Sequence, residues 1–148
     1  MTSSSNMTAP AASATSDTVF QASLTVPCEA GQVHAVREFV GETLGDDSCA
    51  DILVLLASEL ATNSIMHSDS RLPGGTITVT VTGTPDVARV EVRDAGGISA
   101  PSLKGTDDAL AEGGRGLRLV NDLAARWNYR RDADGLVTWF EVRAEPPS

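Results

Sequence analysis

A chain of 148 residues, 41% of them hydrophobic, is long enough to build one core and too short to favour two domains. Eleven basic against twenty acidic residues give a net charge of -9, the wrong sign for a surface that neutralises nucleic-acid phosphates, so direct binding to DNA or RNA is disfavoured. No segment reaches the roughly 20 apolar residues of a membrane-spanning helix, and the first residues lack a secretory-signal pattern, so we expect a cytoplasmic protein without membrane attachment.

The two ends of the chain differ in composition from its centre. Residues 1–18 consist mainly of Ser, Thr, Ala and Pro and offer hardly a large apolar side chain to offset the entropy of ordering. The last five residues read AEPPS. We therefore predict a disordered N-terminal tail over 1–18, one domain over 19–143 and a flexible C-terminal tail over 144–148.

The first half of the domain shows strand periodicity followed by two stretches of helical periodicity. Alternation of apolar residues from Phe20 to Val26 predicts a strand that Pro27 ends. Valines at helical spacing predict a helix over 33–44, with Gly45 as its C-cap. A second helix is predicted from about Asp51 to Met66.

The second half alternates between strands and one more helix. Residues 77–81 and 89–93 alternate apolar with polar side chains and are separated by a turn, which predicts two antiparallel strands. Residues 96–116 have no apolar periodicity and predict a long loop, a kind that is often functional. Helical spacing resumes over 117–127, and 128–142 predict a strand, an Asp-Gly turn and a final strand.

The predicted element order is therefore β, α, α, β, β, loop, α, β, β. Amphipathic helices bury their apolar stripes against a sheet. We predict an α+β fold, a two-layer sandwich in which a mixed, mainly antiparallel sheet carries three helices on one face.

The segment ELATNSIMHS places Glu59 and Asn63 one turn apart on one face of the second predicted helix. A solvated polar stripe is sufficient to explain an isolated E-x-x-x-N pattern. A functional face is the alternative, and the motif alone does not decide between them.

Two glycine-containing motifs flank the long loop. In RDAGG, Asp94 follows a strand and precedes Gly96 and Gly97, which suits either an ordinary turn or a carboxylate at a strand end that a flat ring can approach. In GGRGL, backbone N–H groups at a helix start could hold phosphate oxygens, and a flexible loop end is the alternative.

Taken in order, these motifs are a helix with E-x-x-x-N, a strand ending in D-x-G, a glycine-rich loop, and G-x-G-L entering a helix. That combination resembles the GHKL ATPase superfamily, with its histidine kinase-like ATP-binding fold, over nearly the whole chain from Phe20 to Val142. The small size and the phrases ELATNSIMHS and GRGLRLVNDLAARW look most like the anti-sigma-factor serine/threonine kinases and their regulatory relatives.

The resemblance implies a site for ATP and Mg²⁺. It assigns Glu59 as the general base and Asn63 as a ligand of the Mg²⁺ that bridges the ATP phosphates. Asp94 would accept a hydrogen bond from the adenine amino group, with Gly96 and Gly97 giving the ring access.

The resemblance also assigns roles at the end of the long loop. Gly114, Arg115 and Gly116 would close over the phosphates as part of a lid. Leu117 would start the helix whose N-terminus faces the phosphates.

The resemblance implies that the protein is a kinase that transfers the γ-phosphoryl group of ATP to a serine of an anti-sigma antagonist. It also implies that the protein holds a sigma factor inactive. Such kinases are commonly homodimers. Two alternatives stay open: a non-catalytic ATP-binding module that sequesters a partner, and an α+β interaction domain without nucleotide. No G-x-x-x-x-G-K-[ST] motif occurs, which excludes a P-loop by pattern.

The chain departs from the family pattern at two places. The last glycine of D-x-G-x-G is Ile98 here. The family also tends to carry a threonine two residues before the aromatic of the last strand, where this chain has Val137, with Thr138 one place later. Because strand side chains alternate between faces, we expect Thr138 to point away from adenine unless a bulge shifts the register. Both departures favour the non-catalytic alternative.

Other polar and aromatic residues have simpler interpretations. His67 could reach the pocket but better suits a structural hydrogen bond. Lys104 lies in the predicted loop and suits a solvated charge better than a phosphate contact. Trp127 and Trp139 are predicted to be core aromatics. The two cysteines show no metal-ligand spacing and are interpreted as reduced thiols.

Overall fold

The computed structural model describes residues 18–45, 49–67, 74–96 and 115–143. The strands are β1 (Phe20–Pro27), β2 (Thr76–Gly83), β3 (Val87–Asp94), β4 (Arg126–Asp132) and β5 (Gly135–Arg143), and the helices are α1 (Val33–Leu44), α2 (Ala50–His67) and α3 (Arg115–Leu123). A short 3-10 turn, Ala30–Gln32, leads into α1. Apart from Thr18, the predicted tails lie outside the described residues, as does most of the predicted long loop.

The five strands form one sheet in the order β1-β2-β3-β5-β4. Each pairing between described strands is antiparallel, so the predicted mixed sheet is antiparallel wherever the structure describes it. β5 inserts between β3 and β4, which leaves β4 at the edge. The chain therefore forms the edge strand β4 first. The Asp-Gly turn that the sequence predicted then leads it back into β5, between β3 and β4.

Period-two alternation decides which side of the sheet carries the core. On β2, Ile77, Val79 and Val81 are fully buried, whereas the threonines between them lie on the other face. Burial of each such side chain contributes roughly 1.5–3 kcal/mol. A register slip of one residue would exchange the two sets, so the hydrophobic pattern specifies the register strongly.

All three helices contribute to the same apolar core and lie on one face of the sheet, as predicted. α1 buries Val36, Val40 and Leu44, and α3 buries Val120. α1 ends where the sequence predicted: Gly45 has φ of 58°, and its N–H donates to the carbonyl oxygen of Gly41 at 2.8 Å. The fold is the α+β two-layer sandwich inferred from the element order.

The predicted helix through Trp127 is wrong at its C-terminal end. α3 stops at Leu123, and Trp127 lies in β4, where it pairs with Phe140. Its ring still packs on the core, and its Nε1 donates to Oδ1 of Asn121 at 3.1 Å. Trp127 also contacts the core, but it does so from the sheet. Its position therefore continued the helical spacing of apolar residues although the helix had already ended.

Trp139 is a second correction. It lies on the sheet face opposite to the helices, whereas its neighbour Phe140 is fully buried on the helix-bearing face. The guanidinium of Arg89 lies over the Trp139 ring at 3.9 Å, and that of Arg126 lies 5.7 Å from the ring centroid. Trp139 is therefore a platform for arginines and not a core aromatic.

Candidate functional site

α2 carries Glu59 and Asn63 at the border between core and solvent. Both side chains are half-buried, and the residues between them include Leu60 and Ala61, which are buried. A stripe that served only solvation would lie on the exposed side of the helix. The two polar side chains instead border the buried stripe of the helix.

Asp94 ends β3 with its carboxylate in the interior. The residue is only 6% exposed, and the backbone N–H of Gly96 donates to Oδ1 at 2.6 Å. Gly96 has φ of 80°, a conformation in which glycine avoids the strain that a side chain would cause. A tight turn therefore fixes a buried carboxylate at the end of a strand.

Ser64 is the site residue that the sequence interpretation missed. Its hydroxyl donates to Oδ2 of Asp94 at 2.5 Å, and the residue is 6% exposed. Because Ser64 follows Asn63 directly, this bond holds the polar end of α2 against the end of β3. The signal in the sequence was a serine four residues after Leu60, on the apolar stripe of the helix.

The start of β5 supports the same turn. Gly135, with φ of 141°, packs so closely that a Cβ atom there would overlap the carbonyl oxygen of Asp94. Leu136 pairs with Asp94, and the guanidinium of Arg131 on the edge strand lies beside Gly96. β5 and β4 thus pack against the backbone of the turn, whereas α2 contacts the carboxylate itself.

The orientation predicted for Thr138 is wrong. Thr138 pairs with Val92, which lies two residues before Asp94, so Thr138 faces the helices on the same side of the sheet as the carboxylate. No bulge is needed, since the core aromatic of the last strand is Phe140 and Thr138 stands two residues before it. Val137 lies on the outer face, and the apparent departure came from counting from Trp139.

Several residues that the sequence analysis singled out lie where the structure describes no side chain. Gly97, Ile98, Lys104 and Gly114 lie outside the described residues, as does the side chain of His67 at the end of α2. The first turn of α3 consists of Arg115, Gly116 and Leu117, and the side chains of Arg115 and Leu117 are not among those that the structure describes. The contacts that the structure describes at the candidate site are those of the Asp94 carboxylate with Ser64 and Gly96.

The first turn of α3 has properties that suit an anion. The first N–H groups of a helix have no intrahelical partner and carry the positive end of the helix dipole. α3 packs against both α2 and β4. The backbone of residues 115–117 therefore belongs to an element that adjoins the helix carrying Glu59 and Asn63.

The donor chemistry fits a magnesium ion bound jointly with phosphates. Within the described ranges no three His, Cys, Asp or Glu side chains gather into a metal site. Mg²⁺ commonly takes only one or two protein oxygens and completes its shell with water and substrate phosphates. The amide oxygen of Asn63 is a hard oxygen ligand of this kind.

This fold and this buried carboxylate define a class. A five-stranded antiparallel sheet with three helices on one face, and an aspartate at the end of a central strand against the helix with E-x-x-x-N, is a GHKL-like ATPase fold. Residues 26–142 match the family model of the histidine kinase-like ATPase domain, and the chain belongs to that family. None of the curated proteins compared with the sequence matches it.

Membership supports a domain that binds ATP, since that is the ligand of this class of ATPase. Among the helices that the structure describes, none has the length and apolar character needed to cross a membrane.

Proposed function

We propose that this protein is an ATP-dependent serine/threonine kinase of the anti-sigma-factor type. Its phosphoryl acceptor would be a serine of an antagonist protein, and a sigma factor would be the partner that it sequesters. We place it in the cytoplasm, as a homodimer, without contact to nucleic acid. The net charge of -9 supports the last point.

The observation that carries the proposal is the hydrogen bond from Ser64 to Asp94. It joins two motifs that lie 30 residues apart, the helix with E-x-x-x-N and the strand ending in D-x-G. Nucleotide binding by this family's motifs requires that they form one site, and this contact supports their convergence. Thr138, on the same sheet face, adds a hydroxyl near the carboxylate.

The proposed binding roles follow the chemistry of each side chain. Asp94 accepts from the adenine amino group, and Gly96 and Gly97 let the ring approach. Asn63 offers an amide oxygen to Mg²⁺, which when bound neutralises phosphate charge. The backbone of 114–117 holds phosphate oxygens at the start of α3.

The proposed catalytic role belongs to Glu59. The serine oxygen of the partner forms a bond to the γ-phosphorus while the bond from that phosphorus to the β,γ-bridging oxygen breaks, so ADP leaves. The hydroxyl proton passes to the Glu59 carboxylate. Phosphoryl transfer depends mainly on positioning and charge neutralisation, so one base with these binding groups is sufficient.

The test is transfer of label from γ-³²P ATP with Mg²⁺ to candidate antagonist proteins. We expect label on a serine with the wild type, and a loss of at least 100-fold in initial rate for Glu59→Ala. Glu42→Ala is the matched control, because Glu42 is exposed on α1. Equal rates for wild type and Glu59→Ala would show that another group is the base.

A non-catalytic ATP-binding regulator is the second candidate. Two departures from the family pattern favoured it, and the orientation of Thr138 removes one of them. The other, Ile98, lies outside the described residues. Isothermal titration that detects ATP binding, together with no transfer to any antagonist, would favour the regulator over the kinase.

A further inference from the structure

Ser64 uses its hydroxyl differently from the other described hydroxyl residues of α2. Ser58 donates to the carbonyl oxygen of Leu55 at 2.7 Å, and Thr62 donates to that of Ser58 at 2.8 Å. Such bonds within one helix are the usual choice for serine and threonine. Ser64 instead donates across the core to Asp94.

The consequence of this bond concerns the orientation of the Asp94 carboxylate. Gly96 donates to Oδ1 and Ser64 donates to Oδ2, so each oxygen has its own donor from a different element. Two such bonds fix the plane of the carboxylate. An ionised carboxylate offers about four acceptor positions, so it can accept from more than two donors at once.

We propose that Ser64 is a positioning residue that sets selectivity for the purine 6-amino group. By fixing Oδ2 it holds an acceptor in the orientation in which a 6-amino group donates. This inference rests on the proposed ATP binding and adds to it a residue outside the motifs that the family resemblance assigns. The residue would act through Asp94 and touch no reacting atom.

A purely structural role is the alternative, since the same bond would tether α2 to β3. A tether would change stability, or the affinity for every nucleotide, to the same extent. A positioning residue would change the preference for a 6-amino purine over one without that group. The decisive quantity is therefore a ratio of two affinities measured on one protein sample, which the folded fraction does not affect.

The experiment compares ATP with purine riboside triphosphate, which lacks only the 6-amino group, by isothermal titration with Mg²⁺. For the wild type we expect ATP to bind about tenfold more tightly or better, as for a hydrogen bond to a charged group. For Ser64→Ala we expect this ratio to fall at least threefold, with the affinity for purine riboside triphosphate within about twofold of the wild type. Ser58→Ala is the matched control and should keep the wild-type ratio.

The outcomes separate this inference from the function on which it rests. A wild type that discriminates and a Ser64→Ala variant that discriminates equally would overturn the positioning role alone. Loss of affinity for both nucleotides to the same extent in Ser64→Ala would also overturn it, in favour of the tether. A wild type that binds neither nucleotide would overturn the proposed function together with this inference.

Discussion

Arg93 and Asp132 form a bidentate ion pair that reaches from β3 to β4 across the intervening strand β5. Nη1 lies 3.0 Å from Oδ1 and Nη2 lies 2.8 Å from Oδ2. The pair lies on the outer face of the sheet, one residue from Asp94. It therefore links β3 to β4 at the end of the sheet that carries the candidate site.

This ion pair predicts a specific loss of stability in acid. The hydrogen bond from Arg93 lowers the pKa of Asp132 from 3.8 to about 2. Because the folded pKa is below the unfolded one, the stabilisation is present above about pH 4 and is lost as the pH falls towards 2. Both side chains are more than a third exposed, so we expect a contribution of about 1 kcal/mol or less.

Urea unfolding between pH 5 and pH 2.5 measures this contribution as the difference between wild type and Asp132→Asn. The difference should shrink as the pH falls. Asp86→Asn is the control, since Asp86 is exposed in the turn between β2 and β3. A difference for Asp132→Asn that is independent of pH would contradict the assignment.

Two single substitutions, Thr138→Val and Val137→Thr, test which face of the sheet each of these residues of β5 occupies. Thr138→Val removes a hydroxyl from the helix-bearing face beside Asp94, and we expect ATP affinity to fall about tenfold. Val137→Thr adds a hydroxyl on the outer face and should leave ATP affinity within about twofold. Isothermal titration of both variants checks this, and the reverse order of effects would mean that Val137 faces the nucleotide.

Gly135 is predicted to be intolerant of any side chain. Its φ of 141° strains an L-residue, and a Cβ atom would overlap the backbone of Asp94 and Ala95. We expect Gly135→Ala to lower the free energy of unfolding by roughly 1–3 kcal/mol or more. Gly31→Ala is the matched control, because nothing lies within 4 Å of a Cβ atom built there. Equal unfolding midpoints for the two variants would show that the turn relaxes freely.

The arginines above Trp139 should differ in their effect on stability. Arg89 bonds to Glu91 and Glu141 and lies over the ring, with 24% of its side chain exposed. We expect Arg89→Ala to cost about 1–2 kcal/mol. Arg126 is 68% exposed, and Arg126→Ala should cost less than about 0.5 kcal/mol. Thermal unfolding followed by tryptophan fluorescence measures both, and equal losses would contradict the ranking.

The aromatic pair of the last strand shows where sequence interpretation failed and why. Trp139 and Phe140 are both large and apolar, so either could face the core when only the aromatics are considered. Glu141 and Arg143 share the side of Trp139, and Val142 shares that of Phe140, which is the signal that could have decided the orientation. The error at Thr138 followed directly from this choice.

The sequence by itself determined the properties that depend on residues close together in the chain. Periodicity identified the α+β class and the element order, and helical spacing alone placed Glu59 and Asn63 on one face of a helix. The tertiary structure alone decided that Ser64 bonds to Asp94 and that Arg93 pairs with Asp132, contacts between residues 30 and 39 positions apart. Such contacts depend on strand register and on how a helix docks onto a sheet. Alternation along a strand restricts its register, but the packing of the whole core decides which distant side chains meet.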